Sequence, residues 1–251
     1  MISKDGMRTN TKSVVRILPR IRFNSRTWSC LLAIVLAGMS SMPVLSGNAV
    51  TIPEEIEWTW EVRPPHPDPA LPNVLLLGDS ISRNYFPEVR ENLEGVANVY
   101  LMASSTSVGD PRLPHEIAEF AAVEKVRFRV VHFNNGMHGW AYTEAQYKAA
   151  FPAFLRAVHL VTQKDGALIW ASTTPVRSDA NNGATNPRVE DRNRIAQQFV
   201  QAARIPIDDQ FSLMQKHQDL YQDPIHFNAA GATIQGDQVT ATIRAALVTQ
   251  K

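Results

Sequence analysis

Ser80 directly follows a short apolar run that has the character of a buried strand. The run 74–77 leads into Gly78, which permits a tight turn, and a helical pattern follows Ser80 along the chain. A serine between a strand and a helix lies at a helix N-terminus, where backbone N–H groups stabilise developing negative charge. This is the position of an acyl-transfer nucleophile. The alternative is that Asp79 or Ser80 only caps the helix.

An acid and an imidazole lie three residues apart near the other end of the chain. Asp223 and His226 belong to one loop before the last helical pattern, and Pro224 stiffens their spacing. A serine nucleophile needs a base to take its proton, and the base needs a carboxylate that fixes its tautomer and stabilises its charged form. Asp223 and His226 can supply both parts to Ser80. Taken alone, the pair is also compatible with a surface turn.

The two segments together resemble the first and last sequence blocks of the SGNH, or GDSL, hydrolases. Residues 78–82 (GDSIS) match the first block, residues 223–226 (DPIH) match the last, and the resemblance covers residues 73–248. It implies a three-layer α/β/α, flavodoxin-like fold. It also implies that Ser80 attacks a carboxylic ester to form an acyl-enzyme, while His226 acts first as general base and then as general acid.

The resemblance further implies an oxyanion hole with three donors. These are the backbone N–H of Ser80, the backbone N–H of a glycine after the second strand, and an asparagine side chain after the third. Gly109, at the end of the polar stretch 104–109, matches the glycine. The alternative is that Gly109 is an ordinary turn residue and that Ser104 or Ser105 places the required N–H.

The third sequence block departs from the pattern of the family, which usually reads Gly-x-Asn-Asp. Residues 132–139 read HFNNGMHG, and aligning Gly136 puts His138 in the place of the asparagine. A histidine N–H donates to an oxyanion as an amide does. Asn135, or Asn134 beside it, is the alternative donor and ranks after His138. Otherwise His138 is a hydrogen-bonded loop residue without a part in the chemistry.

Further side chains are candidates for contact with the substrate. Trp140 follows the third block, and Arg177 lies after the fourth strand in a segment that resembles the border of the family's pocket. A partly buried aromatic and a surface ion pair are the alternative interpretations of these two residues. Asp208 and Asp209, after the fifth strand, are interpreted as loop carboxylates.

A parallel sheet is needed to bring these residues together. Short runs that are apolar on successive residues alternate with helical patterns, which predicts strands covered by helices on both faces. The five predicted strands are 74–77, 98–102, 128–133, 167–172 and 206–207. The predicted helices are 86–93, 114–123, 143–161, 189–203 and 229–248, with a capping box of Thr143 and Gln146 at the third. Chemistry is expected in the loops beyond the carboxyl ends of the strands.

The first 49 residues have the composition of a signal peptide. A basic segment precedes an apolar run from Trp28 to about Met39, which is short for a membrane span, and small polar residues follow up to Ala49. We predict cleavage after Ala49, with an uncleaved membrane anchor as the alternative and a secreted or periplasmic location in both cases. Residues 50–72, with six prolines, predict an arm or linker, and residues 73–251 the hydrolase domain.

Charge and composition exclude several classes of partner. Residues 1–49 hold seven of the 25 Lys and Arg and one of the 24 Asp and Glu, which leaves 18 basic against 23 acidic residues. An acidic domain without a basic cluster argues against nucleic acid and against anionic membrane surfaces. The chain shows no metal-ligand spacing, no phosphate-binding glycine loop and no dinucleotide fingerprint, so no metal and no cofactor are expected.

The sequence therefore predicts an exported serine esterase that acts on a small ester or an acylated, neutral carbohydrate. Removal of an O-acetyl group from a carbohydrate is the first candidate reaction, because the chain lacks a long apolar lid for a lipid. The altered third block keeps open a weakly active or acyl-transferring relative that binds a polysaccharide. A short-chain lipase or thioesterase is a further alternative, and the oligomeric state is not predicted.

Overall fold

The structure is a computed structural model that describes residues 50–249. The predicted signal peptide lies outside the described residues.

Within residues 50–249, six strands form one mixed sheet. They are β1 (Thr59–Val62), β2 (Asn73–Gly78), β3 (Asn98–Ser104), β4 (Phe128–Phe133), β5 (Thr162–Ala171) and β6 (Ile207–Asp208). The strand order is β1-β3-β2-β4-β5-β6, and β2 to β6 are parallel. For the five parallel strands this is the order of a flavodoxin-like, doubly wound sheet. The predicted fold class is confirmed.

Helices cover both faces of the sheet. They are α1 (Ser80–Asn92), α2 (Leu113–Glu124), α3 (Glu144–Val161), α4 (Asn186–Ala202), α5 (Gln210–Met214) and α6 (Ala229–Val248), with a 3₁₀ turn at Gln218–Leu220. Because alternate residues of a strand point to opposite faces, Val74 and Leu76 of β2 pack under α1 and α6. Leu75 and Leu77 pack under α2, α3 and α4. Among residues 50–249, no helix has both the length and the apolar character needed to cross a membrane.

The parallel strands end at the same level, which gathers their loops at one edge. Gly78 at the end of β2 lies opposite Ala103 of β3. Leu77 lies opposite Phe133 of β4, which in turn lies opposite Trp170 of β5. The loops that follow β2, β3, β4 and β5 therefore meet above the middle of the sheet.

The strand β1 is additional to the five that the sequence predicts. It belongs to the proline-rich arm and pairs antiparallel with β3, so that Thr59 lies opposite Ser104 and Val62 opposite Leu101. An edge strand forms its ladder on one side only, and nearby prolines are compatible with that position. The arm thus extends the sheet.

Two helix starts show how local sequence acts. The helix α1 begins at Ser80, six residues before the predicted start, because Asp79 caps it and Pro87 is tolerated inside it. The predicted capping box of α3 is confirmed: the Gln146 N–H donates to Thr143 Oγ1 at 3.2 Å, and the Thr143 N–H donates to Gln146 Oε1 at 2.9 Å.

Candidate active site

Ser80 is the first residue of α1, directly after the turn that ends β2. The neighbouring Asp79 is the cap: its Oδ1 accepts the Ile81 N–H at 3.0 Å, and its Oδ2 accepts the Met137 N–H at 3.2 Å. Capping and nucleophile positions are therefore separate residues. The hydroxyl of Ser80 is not needed as a cap, and its backbone N–H belongs to the helix turn whose N–H groups have no acceptor within the helix.

Ser80, His226 and Asp223 form a continuous hydrogen-bonded triad. Ser80 Oγ lies 2.7 Å from His226 Nε2, and His226 Nδ1 lies 2.8 Å from Asp223 Oδ2. The serine is at the start of α1, and the other two come from the loop before α6, where His226 is 146 residues away in sequence. This geometry is the one in which an imidazole takes a serine proton and a carboxylate fixes its tautomer.

The carboxylate of Asp223 is held by its own loop. Its Oδ1 accepts the backbone N–H of Ile225 at 2.8 Å and of His226 at 2.7 Å. Burial alone would raise the pKa of Asp223, but these N–H groups and the His226 ring outweigh it, so the pKa lies below its usual value. Asp223 is therefore kept in the charged form that orients His226.

The loop that carries Asp223 and His226 is anchored to the loop after β5. The Arg177 N–H donates to Pro224 O at 2.9 Å, and the Tyr221 hydroxyl donates to Pro175 O at 2.8 Å. Tyr221 also stacks on Phe227, with ring centroids 4.3 Å apart. These contacts hold the loop that carries His226 against the loop after β5 and so keep the imidazole next to the serine.

The triad opens into a cleft of about 460 Å³. Ser80 is nearly buried, whereas the side chains of His226 and Asp223 are about one third and two fifths exposed. The cleft is lined by Ser80, Arg83, Asn84, Pro87, Gln222, Asp223 and His226. A substrate can therefore reach the hydroxyl from solvent.

The backbone N–H of Gly109 is engaged within the loop after β3. Its N–H donates to Ser107 Oγ at 3.1 Å, and a Cβ at this position would lie 2.7 Å from the Tyr142 ring. Close packing against Tyr142 accounts for the glycine, and its role as an oxyanion donor stays a prediction. The Ser105 N–H is also engaged, since it donates to Trp58 O at 3.0 Å.

Asn135 already uses its side-chain donors. Its Nδ2 donates to Thr106 O at 3.0 Å and to Ser104 O at 3.4 Å, which ties the loop after β4 to the end of β3. Asn134 likewise donates to Ala171 O and to Thr173 Oγ1. Both asparagines are buried parts of the loop framework.

His138 is paired with a residue of the arm. Its Nδ1 lies 2.9 Å from Glu54 Oε2, while Glu54 Oε1 accepts the Gly139 N–H at 2.8 Å. Burial alone would lower the pKa of His138, but the hydrogen bond to Glu54 and the negative charges of Asp79 and Glu54 outweigh it, so the pKa is raised. The other ring nitrogen, Nε2, is buried and has no partner among the described residues. No sequence pattern singles out Glu54, because the arm lacks periodicity.

Arg192 of α4 holds the loop that carries His138. Its guanidinium is fully buried and donates to the carbonyl oxygens of His138 and Gly139, each at 2.8 Å. Longer hydrogen bonds reach Gly136 O and Tyr142 O. Burial lowers the pKa of Arg192 to about 10. A buried cation therefore stabilises the conformation of this loop. Arg192 is not among the site residues predicted from the sequence.

The two predicted substrate contacts have other surroundings. Trp140 is buried, its Nε1 donates to Met137 O at 2.7 Å, and Arg192 lies over its ring at 4.0 Å. The ring is therefore enclosed by the loop that it supports, and contact of Trp140 with the substrate stays a prediction. Arg177 lies at the surface beside the triad loop and forms an ion pair with Asp179. It borders the site, but its side chain already has a partner.

A second acid–imidazole pair lies in the core. His132 Nε2 is 2.8 Å from Asp208 Oδ2, both side chains are buried, and the amides of Gln210 and Gln238 also donate to Asp208. The interpretation of Asp208 as a loop carboxylate is wrong. His132 lies inside a strand that is predicted to be covered on both faces. Because a buried imidazole needs a partner, its position could have indicated a buried acid such as Asp208.

Residues 50–249 contain no group of three or more His, Cys, Asp or Glu side chains arranged to hold a metal ion.

Several solved structures share this arrangement of strands and helices. One is the C-terminal catalytic domain of peptidoglycan O-acetyltransferase A from Streptococcus pneumoniae, at 17% identity over 70% of this chain and 95% of that chain, with a TM-score of 0.54. Another is a carbohydrate esterase family 3 protein from Talaromyces cellulolyticus, at 17% identity over 70% and 97%, with a TM-score of 0.56. A third is a lipolytic protein of the G-D-S-L family from Veillonella parvula, at 16% identity over 68% and 98%, with a TM-score of 0.53.

No protein-family model matches the chain, and no curated protein matches it significantly. The likeness therefore concerns the course of the backbone rather than close sequence relationship. With Ser80 in the turn after β2, and with Asp223 and His226 before α6, the described domain has the fold of the SGNH, or GDSL, hydrolases.

Proposed function

We propose that this protein is a serine esterase that works through an acyl-enzyme. The observation that carries the proposal is the triad, in which Ser80 Oγ, His226 and Asp223 are joined by hydrogen bonds of 2.7 and 2.8 Å. A serine outside such a network is a poor nucleophile at neutral pH, whereas a neighbouring imidazole activates it as it attacks. The open cleft at Ser80 supports the same conclusion.

The first half of the reaction transfers the acyl group to the enzyme. Ser80 Oγ attacks the ester carbonyl carbon while His226 Nε2 takes the hydroxyl proton, which leaves an oxyanion on the carbonyl oxygen. Asp223 stabilises the imidazolium that forms. His226 then gives this proton to the departing alkoxide, so that the alcohol leaves and an ester to Ser80 remains. In the second half, water attacks this ester with His226 again as base.

For the oxyanion hole we propose the backbone N–H of Ser80 together with His138. The helix N-terminus supplies the first donor and a favourable field. His138 is the better side-chain candidate because its Nε2 is buried and has no partner among residues 50–249, whereas the amide of Asn135 is already engaged. With Nδ1 bound to Glu54, Nε2 carries a proton only in the cationic ring, and the raised pKa of His138 favours that form.

The substrate that we propose is a carbohydrate ester, with an acetyl group as the acyl part. The solved structures with this fold include a carbohydrate esterase and an acetyl xylan esterase, which supports this choice by analogy. Export to the periplasm or the medium, which the composition of residues 1–49 predicts, fits such a substrate.

Acyl transfer to a second sugar is the competing function. Its support is the similarity to the catalytic domain of a peptidoglycan O-acetyltransferase. Hydrolysis and transfer share the acyl-enzyme and differ only in whether water or a sugar hydroxyl attacks it. Free acetate and acetylated acceptor, measured together after adding oligosaccharide acceptors, distinguish the two functions.

The decisive experiment compares Ser80→Ala with the wild type on p-nitrophenyl esters of increasing acyl length. We expect hydrolysis of the acetyl ester to fall by about 10⁴-fold or more in the variant. We expect the rate of the wild type to fall as the acyl chain becomes longer. Ser212→Ala is the matched control, since Ser212 is an exposed serine outside the cleft. Equal rates for Ser80→Ala and the wild type would reject the esterase.

A further inference from the structure

Arg83 places a positive charge beside the nucleophile. It lies three residues after Ser80 in α1, so the two side chains project from neighbouring positions on one face of the helix. Arg83 is exposed and lines the same cleft as Ser80 and His226. Proton transfer within the triad does not require it.

Two tryptophans of the arm hold the guanidinium of Arg83. Its Cζ lies 5.1 Å from the ring centroid of Trp58 and 5.2 Å from that of Trp60. The two rings are two residues apart in extended chain, so they point to the same side. Trp58 is fixed from a second direction by its edge contact with His138, at 5.7 Å between centroids. Cation–π contacts therefore position Arg83 next to the cleft.

The N–H donors of Arg83 have no acceptor within the part of the chain that the structure describes. Arg112 and Arg177 bind Asp110 and Asp179 in ion pairs, whereas the aromatic rings that contact Arg83 supply no oxygen acceptor. A guanidinium presents its donors in a planar fork that matches a carboxylate in a bidentate manner. A positioned fork with free donors is suited to a ligand.

We propose that Arg83 and Trp60 form a subsite for a uronic acid, a sugar that carries a carboxylate, within the acylated carbohydrate. This rests on the proposed esterase function and narrows its substrate class. Arg83 binds the carboxylate, and Trp60, a residue that is 51% exposed, offers the apolar face of its ring to the pyranose. One helical turn of about 5 Å separates Arg83 from Ser80, so the carboxylate and the ester belong to the same or adjacent sugar units.

The charge of the substrate is assigned from the groups at the cleft rather than from the net charge of the domain. The acidic composition predicts a neutral substrate, but recognition depends on the groups within reach of the ligand. The carboxylate of Asp223 in the same cleft is engaged by His226 and two backbone N–H groups. A singly charged carboxylate meets less repulsion from Asp223 than a phosphate with two charges would.

The kinetic test uses two substrates that differ in one group, the O-acetylated methyl glycosides of glucuronic acid and of glucose. Acetate release gives kcat/KM for the wild type, for Arg83→Gln and for Arg90→Gln. Arg90 is the matched control, because it is exposed on the same helix and stacks on Phe86 at 5.5 Å but does not line the cleft. We expect a preference for the glucuronic acid ester of about tenfold or more, which Arg83→Gln loses and Arg90→Gln keeps.

A binding test on Ser80→Ala separates the subsite from the esterase activity. Tryptophan fluorescence is followed during titration with methyl glucuronide, methyl glucoside and inorganic phosphate, and we expect the glucuronide to bind most tightly. Such binding without any Ser80-dependent acetate release would support the subsite and reject the esterase. Equal kcat/KM for the two esters, equal effects of Arg83→Gln and Arg90→Gln, or tighter binding of phosphate would each overturn the subsite.

Discussion

The Glu54→Gln substitution tests whether the arm takes part in catalysis. Glutamine keeps an acceptor for His138 Nδ1, which lies 2.9 Å from Glu54 Oε2, but removes the negative charge. In the proposed mechanism His138 donates through Nε2 only while the ring is cationic. Activity that depends on this donor is present below the pKa of His138 and is lost as the pH rises through it.

The size of the effect follows from the geometry. The negative charge of Glu54 within hydrogen-bonding distance raises the pKa of His138, so its removal should move the alkaline limb of kcat to lower pH. At pH values between the alkaline limb of Glu54→Gln and that of the wild type, only the variant lacks this oxyanion donor. The loss costs the variant about 10² to 10³ in kcat. Below both limbs the ring is cationic in either protein, and the rates should converge.

The assay is kcat for p-nitrophenyl acetate from about pH 5 to about pH 10, a range that brackets ordinary histidine titration, with the uncatalysed rate subtracted. Glu55→Gln is the matched control, because Glu55 is the adjacent exposed carboxylate of the arm. His138→Ala should abolish the alkaline limb and lower kcat at every pH where the wild type is active. An unchanged limb in Glu54→Gln, or full activity in His138→Ala, would refute the assignment of His138 as a donor.

Two further predictions concern stability. Arg192→Met should lower the free energy of unfolding by about 3 kcal/mol or more, because it leaves buried carbonyl groups of the 136–142 loop without their donor. Urea denaturation measures this free energy. A loss below about 1 kcal/mol would show that the loop keeps its conformation without Arg192. Asp208→Ala should cost about 3 to 5 kcal/mol near neutral pH, because it leaves the buried His132 unpaired. The hydrogen bonds from His132, Gln210 and Gln238 outweigh burial and lower the pKa of Asp208, so its stabilisation is present above the pKa of an unfolded aspartate and is lost as the pH falls through the lowered value. The deficit of Asp208→Ala should therefore shrink in acid, and a deficit independent of pH would contradict this account.

The sequence predicts those parts of the fold that depend on short-range patterns. The run that becomes β2 is apolar on both faces, so the position of Ser80 after a buried strand could be inferred from a few neighbouring residues. The loop of Asp223 and His226 is equally local, because the carboxylate bonds to backbone N–H groups two and three residues away. The parallel topology places both loops at one edge of the sheet, but the 2.7 Å contact between Ser80 and His226 depends also on the contacts of the second loop with the loop after β5.

Contacts between distant polar residues could not be inferred in this way. The pairing of Glu54 with His138 joins positions 84 residues apart, and neither residue lies in a periodic segment. The place of Gly109 was assigned by alignment, whereas its packing against Tyr142 depends on the shape of two loops. The sequence around Arg192 is that of an exposed helix position, because the carbonyl groups that it binds belong to a distant loop.

The pairing of the arm with the sheet also bears on the order in which the protein folds. The partners of the arm in the sheet and its loops lie far along the chain: Ser105 is 47 residues after Trp58, and Gly139 is 85 residues after Glu54. Loop closure over such distances is unfavourable until the partners themselves are fixed, so the arm should dock last. In an intermediate with a complete triad but an undocked arm, Glu54 does not yet contact His138, and Trp58 and Trp60 do not yet contact Arg83. We expect amide hydrogens of residues 58–62 to exchange faster than those of β2 and β4, and full activity to appear later in refolding than the native sheet.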